Sequence, residues 1–221
     1  SIFLGHRRLS IIDISSNGHQ PMLYEHLAII YNGEVYNFKD IRQDLISEGY
    51  SFDSNSDTEV ILKSYHFWGV YCVERFRGMF AFAVYDSEQQ EVIIFRDRAG
   101  VKPLYYSQTN NALIFSSELR PLLNYPDFNK EIDFEAVSSY LQFGYIHAPK
   151  TIFKTVQKLL PGYYLKYDIE SKILVKECYW NINDFYENQV AREDIVEELE
   201  ATIIEAFNLR MIADVPVGVF L

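Results

Sequence analysis

The first half of the chain alternates short apolar runs with polar or glycine-rich breaks, a pattern typical of β-strands in a layered fold. In Phe80-Ala81-Phe82-Ala83-Val84, large and small side chains alternate, which indicates a strand that is covered on both faces. We predict strands over 4–12, 27–31, 79–85, 92–95, 104–107 and 112–115.

Apolar residues at helical spacing predict helices between and after these strands. The run from Ser56 to Glu59 has the form of a capping box, so a helix is expected to begin at residue 57. Many antiparallel-looking strands with few helices favour an α+β architecture. Further helices are predicted over 38–48, 133–143 and 192–211, and a hairpin over 163–167 and 173–180.

Composition and charge indicate a folded domain and argue against two classes of partner, nucleic acid and membrane. Hydrophobic residues make up 48% of the chain and charged residues 23%, as in an ordinary folded domain. A net charge of −11 without a Lys/Arg cluster argues against nucleic acid as a partner. The sequence has no apolar run of about 18 residues, which argues against a membrane span. Cys72 and Cys178 lie far apart, so neither a disulfide framework nor a metal site is predicted.

The run Tyr31-Asn32-Gly33-Glu34 is the strongest candidate for chemistry. The Asn32 amide and the Gly33 backbone N–H are the two kinds of donor that an oxyanion hole needs. Asn-Gly is also the commonest signal for a hairpin turn, and both interpretations stay open. Glu34 is either a solvated carboxylate or a partner for an ammonium group.

Arg8 and Asp57 complete a set that is able to hold a free amino acid at both charged ends. The planar guanidinium of Arg8 suits a carboxylate, although a surface cation is an equally simple interpretation. Asp57 either accepts from the backbone N–H groups at a helix start or faces an ammonium group, and the two roles are compatible.

In this order, these residues resemble the glutamine-hydrolysing asparagine synthetase family over essentially the whole chain. The resemblance implies a class II glutamine amidotransferase domain with the N-terminal-nucleophile (αββα) fold, in which helices flank two antiparallel sheets. It assigns residues 1–160 to that domain and 161–221 to a linker hairpin and the truncated start of an α/β ATP-pyrophosphatase-type synthetase domain. The matching segments are 4–13, 18–22, 31–36, 56–62, 76–82, 96–105 and 210–221.

The resemblance also implies a role for each candidate residue. Arg8 binds the glutamine α-carboxylate, Glu34 and Asp57 bind the α-ammonium, and the loop 18–22 covers the substrate. Asn32 and Gly33 stabilise the oxyanion. Leu221 matches a position that contacts ATP. The remaining glutamine contacts are the backbones of Leu9, Ser10, Ile11 and Ile12.

In the family the nucleophile is an N-terminal cysteine, and this sequence has none at a matching place. We therefore expect an internal fragment that by itself releases no glutamate from glutamine and consumes no ATP. The intact protein is expected to use ATP and Mg²⁺, to act on small-molecule substrates (glutamine and aspartate or another carboxylate) and to be cytoplasmic. It is expected to bind neither nucleic acid nor a membrane, and a homodimer is a further expectation.

Three alternatives remain. The intact protein could amidate a sugar or a peptide during surface-polymer synthesis, or the chain could be a non-catalytic glutamine-binding module. A glucosamine-phosphate synthase is disfavoured because the segment 210–221 resembles the entry to an ATP pyrophosphatase domain.

Overall fold

The computed structural model describes the chain except residues 8–11, 14, 110, 189–194, 213, 217 and 219–221. Its helices and strands confirm the α+β class. The strands are β1 (Met22–Tyr24), β2 (Leu27–Val35), β3 (Gly78–Asp86), β4 (Glu91–Arg96), β5 (Tyr105–Gln108), β6 (Leu113–Ser116), β7 (Gln157–Lys158), β8 (Tyr163–Asp168) and β9 (Leu174–Cys178). The helices are α1 (Phe38–Ser47), α2 (Asp57–Trp68), α3 (Leu119–Leu122), α4 (Phe134–Phe143) and α5 (Ile195–Arg210).

Most of the predicted elements are present, and one is wrong over the residues that can be compared. Residues 4–7 and 12 form no strand, and 8–11 lie outside the described residues. An alternating run becomes a strand only when a neighbouring strand accepts its hydrogen bonds, and local pattern cannot supply that neighbour. Strand β2, by contrast, is longer than predicted, since it continues from Tyr31 to Val35.

The chain folds into two compact units. The first contains residues 1–30, 34–78 and 181–221. In it, β1 pairs with the start of β2 as an antiparallel hairpin, and α1 contacts α2. Its buried side chains include Leu45, Val60, Ile61 and Leu62. Most described apolar residues of α5, among them Leu199, Ile203 and Phe207, are exposed.

The second unit contains residues 31–33 and 79–180. Its larger antiparallel sheet has the order β2, β3, β4, β8, β9, to which β2 contributes Tyr31–Gly33. The predicted hairpin is β8 and β9, and it extends this sheet because β8 pairs with β4. The rings of Phe82 and Phe95 stack in the core at 4.6 Å between centroids. A second antiparallel sheet has the order β6, β5, β7.

The charged turn that follows β4 is held by backbone contacts. Asp97 is fully buried and accepts from the backbone N–H groups of Phe80, Ala99, Val101 and Lys102 at 2.9 to 3.2 Å. Arg96 donates to the carbonyl groups of Gly100, Lys102 and Leu159. Gly100, in the same turn, has a left-handed backbone conformation with φ +65°.

Among the described residues, no helix combines the length and the apolar character needed to cross a bilayer.

Candidate functional site

Asn32 and Gly33 lie within the nine-residue strand β2, so the hairpin-turn interpretation is wrong. Gly33 has a φ of +151°, a value that side-chain-bearing residues rarely adopt. A Cβ atom placed on Gly33 would lie 2.2 Å from the Met79 carbonyl oxygen and 2.7 Å from the Phe80 Cα. The backbone of β3 therefore approaches Gly33 too closely for any larger residue.

A second glycine makes the matching approach in the first unit. A Cβ atom on Gly78 would lie 2.1 Å from the Glu34 carbonyl oxygen and 2.9 Å from the Val35 Cα. Sequence reasoning missed this role of Gly78, because a glycine before an apolar strand looks like an ordinary strand boundary. Together, the two glycines fix the path of the backbone through Asn32, Gly33 and Glu34.

Helix α2 positions the Asp57 carboxylate. The N-cap of the helix is Ser56, whose hydroxyl accepts from the Thr58 backbone N–H. Asp57 is buried, and its Oδ2 accepts from the backbone N–H of Val35 at 3.1 Å. The interpretation of Asp57 as the helix cap is therefore wrong. This hydrogen bond places Asp57 beside the residue that follows Glu34, which is also buried. The first unit thus brings the two predicted ammonium ligands to the same end of β2.

Glu59 holds the loop that precedes Asp57, and it is not the capping-box partner that the sequence predicted. Its carboxylate accepts from the Asp53 N–H, from the Ser54 N–H and hydroxyl, and from the Lys63 ammonium at 2.6 Å. Burial raises the pKa of Glu59, but the hydrogen bonds from Lys63, Ser54 and the Asp53 backbone outweigh it, so the pKa lies below its ordinary value.

The loop predicted to cover the substrate meets the same helix. Gln20 is buried and donates from Nε2 to the Thr58 hydroxyl at 3.3 Å, next to Asp57. Its role as a cover stays a prediction.

Of the predicted contacts in the first segment, Ile12 is described, whereas Arg8, Leu9, Ser10 and Ile11 lie outside the described residues. Ile12 is buried and lines a cavity of about 490 Å³ in the first unit. Asp13, next to Ile12, accepts from the Asn55 N–H at 2.8 Å, directly before the N-cap of α2. Ile12 and Asp13 therefore lie beside the loop that precedes α2 and Asp57. The cavity is lined by Ile12, Phe38, Lys39, Arg42, Gln43, Asn55, Ile212 and Asp214.

The predicted ATP contact, Leu221, also lies outside the described residues. In the described part of that last segment, the Asp214 carboxylate accepts from the Asp13 backbone N–H at 2.8 Å.

Neither cysteine resembles an activated nucleophile. Cys72 is fully buried, and burial raises the pKa of its thiol far above the ordinary value. Cys178 is exposed on β9, and its thiol donates to the Trp180 carbonyl oxygen at 3.3 Å.

The chain is similar to several known proteins. The family described as glutamine amidotransferase domain matches residues 1–180. The chain is 38% identical over 219 residues to asparagine synthetase 1 of Bacillus subtilis and 34% identical over 225 residues to asparagine synthetase 3 of the same organism. Both relatives are named as glutamine-hydrolyzing. These matches cover 98% and 100% of this chain but 34% and 36% of the relatives. The chain thus spans about a third of the length of these relatives.

Solved structures bear on the fold alone, because sequence identity is low. The allosteric regulatory enzyme of purine biosynthesis matches with a TM-score of 0.55 and 20% identity, over 80% of this chain and 35% of that one. The B. subtilis glutamine phosphoribosylpyrophosphate amidotransferase in complex with ADP and GMP matches with a TM-score of 0.53 and 18% identity, over 79% of this chain and 34% of that one.

Proposed function

We propose that this chain binds glutamine and takes part in releasing ammonia from the side-chain amide of glutamine. The proposal rests on the family of the chain, which belongs to the glutamine amidotransferase domain family. The observation that carries the proposal is the placement of Asn32 and Gly33 inside β2 rather than in a turn. Two glycine contacts leave this short stretch of backbone little freedom, and preorganised donors are what a developing oxyanion needs.

Each charged end of glutamine has a proposed partner. Arg8 binds the α-carboxylate, and Glu34 with Asp57 binds the α-ammonium. The burial of both carboxylates and the Asp57–Val35 hydrogen bond support the second assignment. The backbone of residues 9–12 supplies further contacts, and the location of Ile12 near the loop before α2 is consistent with them.

The chemical step we propose is addition of a cysteine thiolate to the glutamine amide carbon. The amide oxygen becomes an oxyanion, to which the Asn32 side-chain amide and the Gly33 N–H donate. Ammonia then leaves, and water hydrolyses the thioester to give glutamate. The burial of Cys72 and the location of Cys178 on β9 argue against either one as this nucleophile. We therefore assign it to a residue of the full-length protein outside these 221 positions.

The finer architecture is also part of the proposal. We infer the N-terminal-nucleophile (αββα) arrangement for residues 1–160, and we assign 161–221 to the hairpin and the first elements of a synthetase domain. Two antiparallel sheets and the likeness to solved amidotransferases support the first inference. The identity to two B. subtilis asparagine synthetases supports the second.

For the full-length protein we propose an ATP-consuming amide ligase that converts aspartate and glutamine to asparagine and glutamate. ATP with Mg²⁺ would supply activation of the acceptor carboxylate. No step through the nucleotide is assigned to this chain, because the predicted ATP contact, Leu221, lies outside the described residues.

The test is a glutaminase assay on the full-length protein, with glutamate release measured across a range of glutamine concentrations. Asn32→Ala should lower kcat by about 100-fold or more, because one oxyanion donor is lost. The exposed Asn111→Ala is the matched control and should leave kcat unchanged. An Asn32→Ala enzyme with the wild-type kcat would overturn the oxyanion assignment.

A second pair of variants tests the carboxylate assignment. Arg8→Lys should chiefly raise KM for glutamine, since an ammonium cannot form the planar two-bond contact of a guanidinium. The neighbouring Arg7 is exposed, so Arg7→Lys should keep the wild-type KM. Equal KM values for the two variants would count against Arg8. Asparagine formation from aspartate, glutamine and ATP then tests the acceptor.

A further inference from the structure

Three metal-ligand side chains meet at the β1–β2 hairpin. Glu25 and His26 are the two residues of the turn that joins Tyr24 to Leu27, and His66 lies in the last turn of α2. One ligand atom from each of the three lies within 4.8 Å of the others. No sequence motif announces this cluster, because two of its members come from a turn and the third comes from a helix 40 residues later.

The His66 ring is oriented as a metal-bound imidazole would be. Its Nδ1 is hydrogen-bonded to the Tyr50 hydroxyl at 2.6 Å, and its Nε2 faces Glu25 Oε2 at 2.9 Å. An edge contact with Tyr24, at 5.1 Å between ring centroids, further fixes the ring. Histidines that bind metals usually have their second nitrogen held by such a partner, which sets ring orientation. Nε2 is therefore the nitrogen that is presented to the cluster.

The backbone at Glu25 is unusual for its residue type. Glu25 has a φ of +50°, in the left-handed region that glycine or asparagine normally occupies in a two-residue hairpin turn. This conformation is unfavourable for a glutamate, because its Cβ lies too close to the following carbonyl oxygen. This turn places the Glu25 carboxylate and the His26 imidazole beside His66 in the last turn of α2.

A Glu25–His66 ion pair is the simpler interpretation, but the cluster also includes His26, whose ligand atom lies within 4.8 Å of the other two. The centroids of the His26 and His66 rings lie 5.7 Å apart, and the neutral imidazole is the commonest metal ligand among side chains. The nearby Lys63 ammonium does not oppose a cation strongly, because it is paired with Glu59 at 2.6 Å. A tetrahedral ion separates its nitrogen and oxygen ligands by about 3.3 Å, which is within the range this cluster spans.

We propose that Glu25, His26 and His66 form a binding site for a first-row divalent cation of the Zn²⁺ type, with water completing the coordination. Two imidazoles and one carboxylate favour zinc over the oxygen-seeking Mg²⁺ and Ca²⁺. Asp57 and His66 are nine residues apart on α2, so this site lies about 14 Å along the helix from the proposed glutamine ligand. The metal site is therefore independent of the proposed glutamine chemistry.

The test is isothermal titration of chelator-treated protein with ZnCl₂, paired with X-ray absorption at the zinc edge. We expect one ion per chain with a Kd in the micromolar range or tighter, and nitrogen or oxygen ligands at about 2.0–2.1 Å. MgCl₂ should produce no binding heat. His26→Asn and Glu25→Gln should each weaken zinc binding at least tenfold. Both residues belong to a surface turn, and Glu25 is 56% exposed, so neither variant threatens the fold.

His147→Asn and Cys178→Ser are the matched controls, since each removes a zinc-ligand type elsewhere in the chain. Both should keep the wild-type Kd. No binding at 1 mM ZnCl₂ would overturn the proposal. So would zinc binding that is equally tight in wild type, His26→Asn and Glu25→Gln, or weakened only by the controls. These readouts do not use glutamine turnover, so failure of the proposed function would leave them unchanged.

Discussion

Gly33 is the residue whose replacement the structure penalises most clearly. The two atoms closest to a Cβ at this position, the Met79 carbonyl oxygen and the Phe80 Cα, are both backbone, so no flexible side chain can yield. Gly33→Ala should lower the free energy of unfolding by about 3 kcal/mol or more, as measured by urea titration. Gly49→Ala is the control, because Gly49 also has a positive φ (+94°) but has nothing within 4 Å of its Cβ position. It should cost about 1–2 kcal/mol, and equal losses for the two would contradict the close approach.

Glu59 gives the first unit a stability term that depends on pH. The pKa of Glu59 in the folded state lies below its ordinary value of 4.5, so this term is present above that value and is lost as the pH falls through the folded-state pKa. Glu59→Gln should lower the free energy of unfolding at pH 7 by about 3 kcal/mol, because it leaves the Lys63 charge buried and unpaired. The difference from wild type should shrink below about pH 4.5.

The exposed pair of Glu131 and Lys154 provides the control for this pH experiment. Glu131→Gln should change the free energy of unfolding by less than about 1 kcal/mol at either pH. A Glu59→Gln deficit that stays constant from pH 7 to pH 3.5 would show that the carboxylate charge of Glu59 is not what matters.

At the scale of helices and strands, local sequence signals predicted which elements form better than they predicted the contacts that those elements make. The helical spacing after Ser56 correctly predicted α2, because the apolar face and the N-cap are both local. The capping-box role of Glu59 was wrong, because Lys63 and the 53–54 backbone compete for its carboxylate. For Asn32-Gly33, the sequence left two interpretations open, a hairpin turn and an oxyanion hole. The approach of β3, about 46 residues later, excludes the turn, and no local rule contains that contact.

Asp97 connects two elements of the second unit, which makes it the sharpest test at this scale. Its buried carboxylate accepts from Phe80 of β3 and from Ala99, Val101 and Lys102 in the turn after β4. Asp97→Asn would turn an NH₂ group toward some of these donors and remove the charge that they stabilise. We expect the free energy of unfolding to fall by about 2–4 kcal/mol. Asp44 is exposed, and Asp44→Asn should change the free energy of unfolding by no more than about 0.5 kcal/mol. An equally small change for Asp97→Asn would contradict the connecting role of Asp97.

For the molecule as a whole, composition indicated an ordinary folded domain, and the resemblance indicated the family whose model matches residues 1–180. Neither indicated that residues 31–33 fold with residues 79–180 while 34–78 belong to the other unit. Such a division depends on which strands pair over long sequence distances. The periodicity that predicts a strand carries no information on its neighbour. The metal-ligand cluster has the same origin, since β1–β2 and α2 bring His26 and His66 together only after folding.

Net charge gives the last prediction at this scale. The chain carries 31 acidic and 20 basic side chains, so its folded state concentrates an excess of negative charge. Screening by salt relieves that repulsion, because the Debye length falls from about 20 Å near 0.02 M to about 4 Å near 0.5 M. Exposed ion pairs such as Arg77–Glu205 weaken in the same salt, but each contributes at most about 1 kcal/mol. The midpoint of unfolding in urea, which is itself uncharged, should therefore rise with added NaCl. Glu200 is exposed on α5, and Glu200→Lys changes the net charge by two units, so it should reduce the rise of the urea midpoint with NaCl. A midpoint that falls steadily with salt would mean that local ion pairs outweigh the net repulsion.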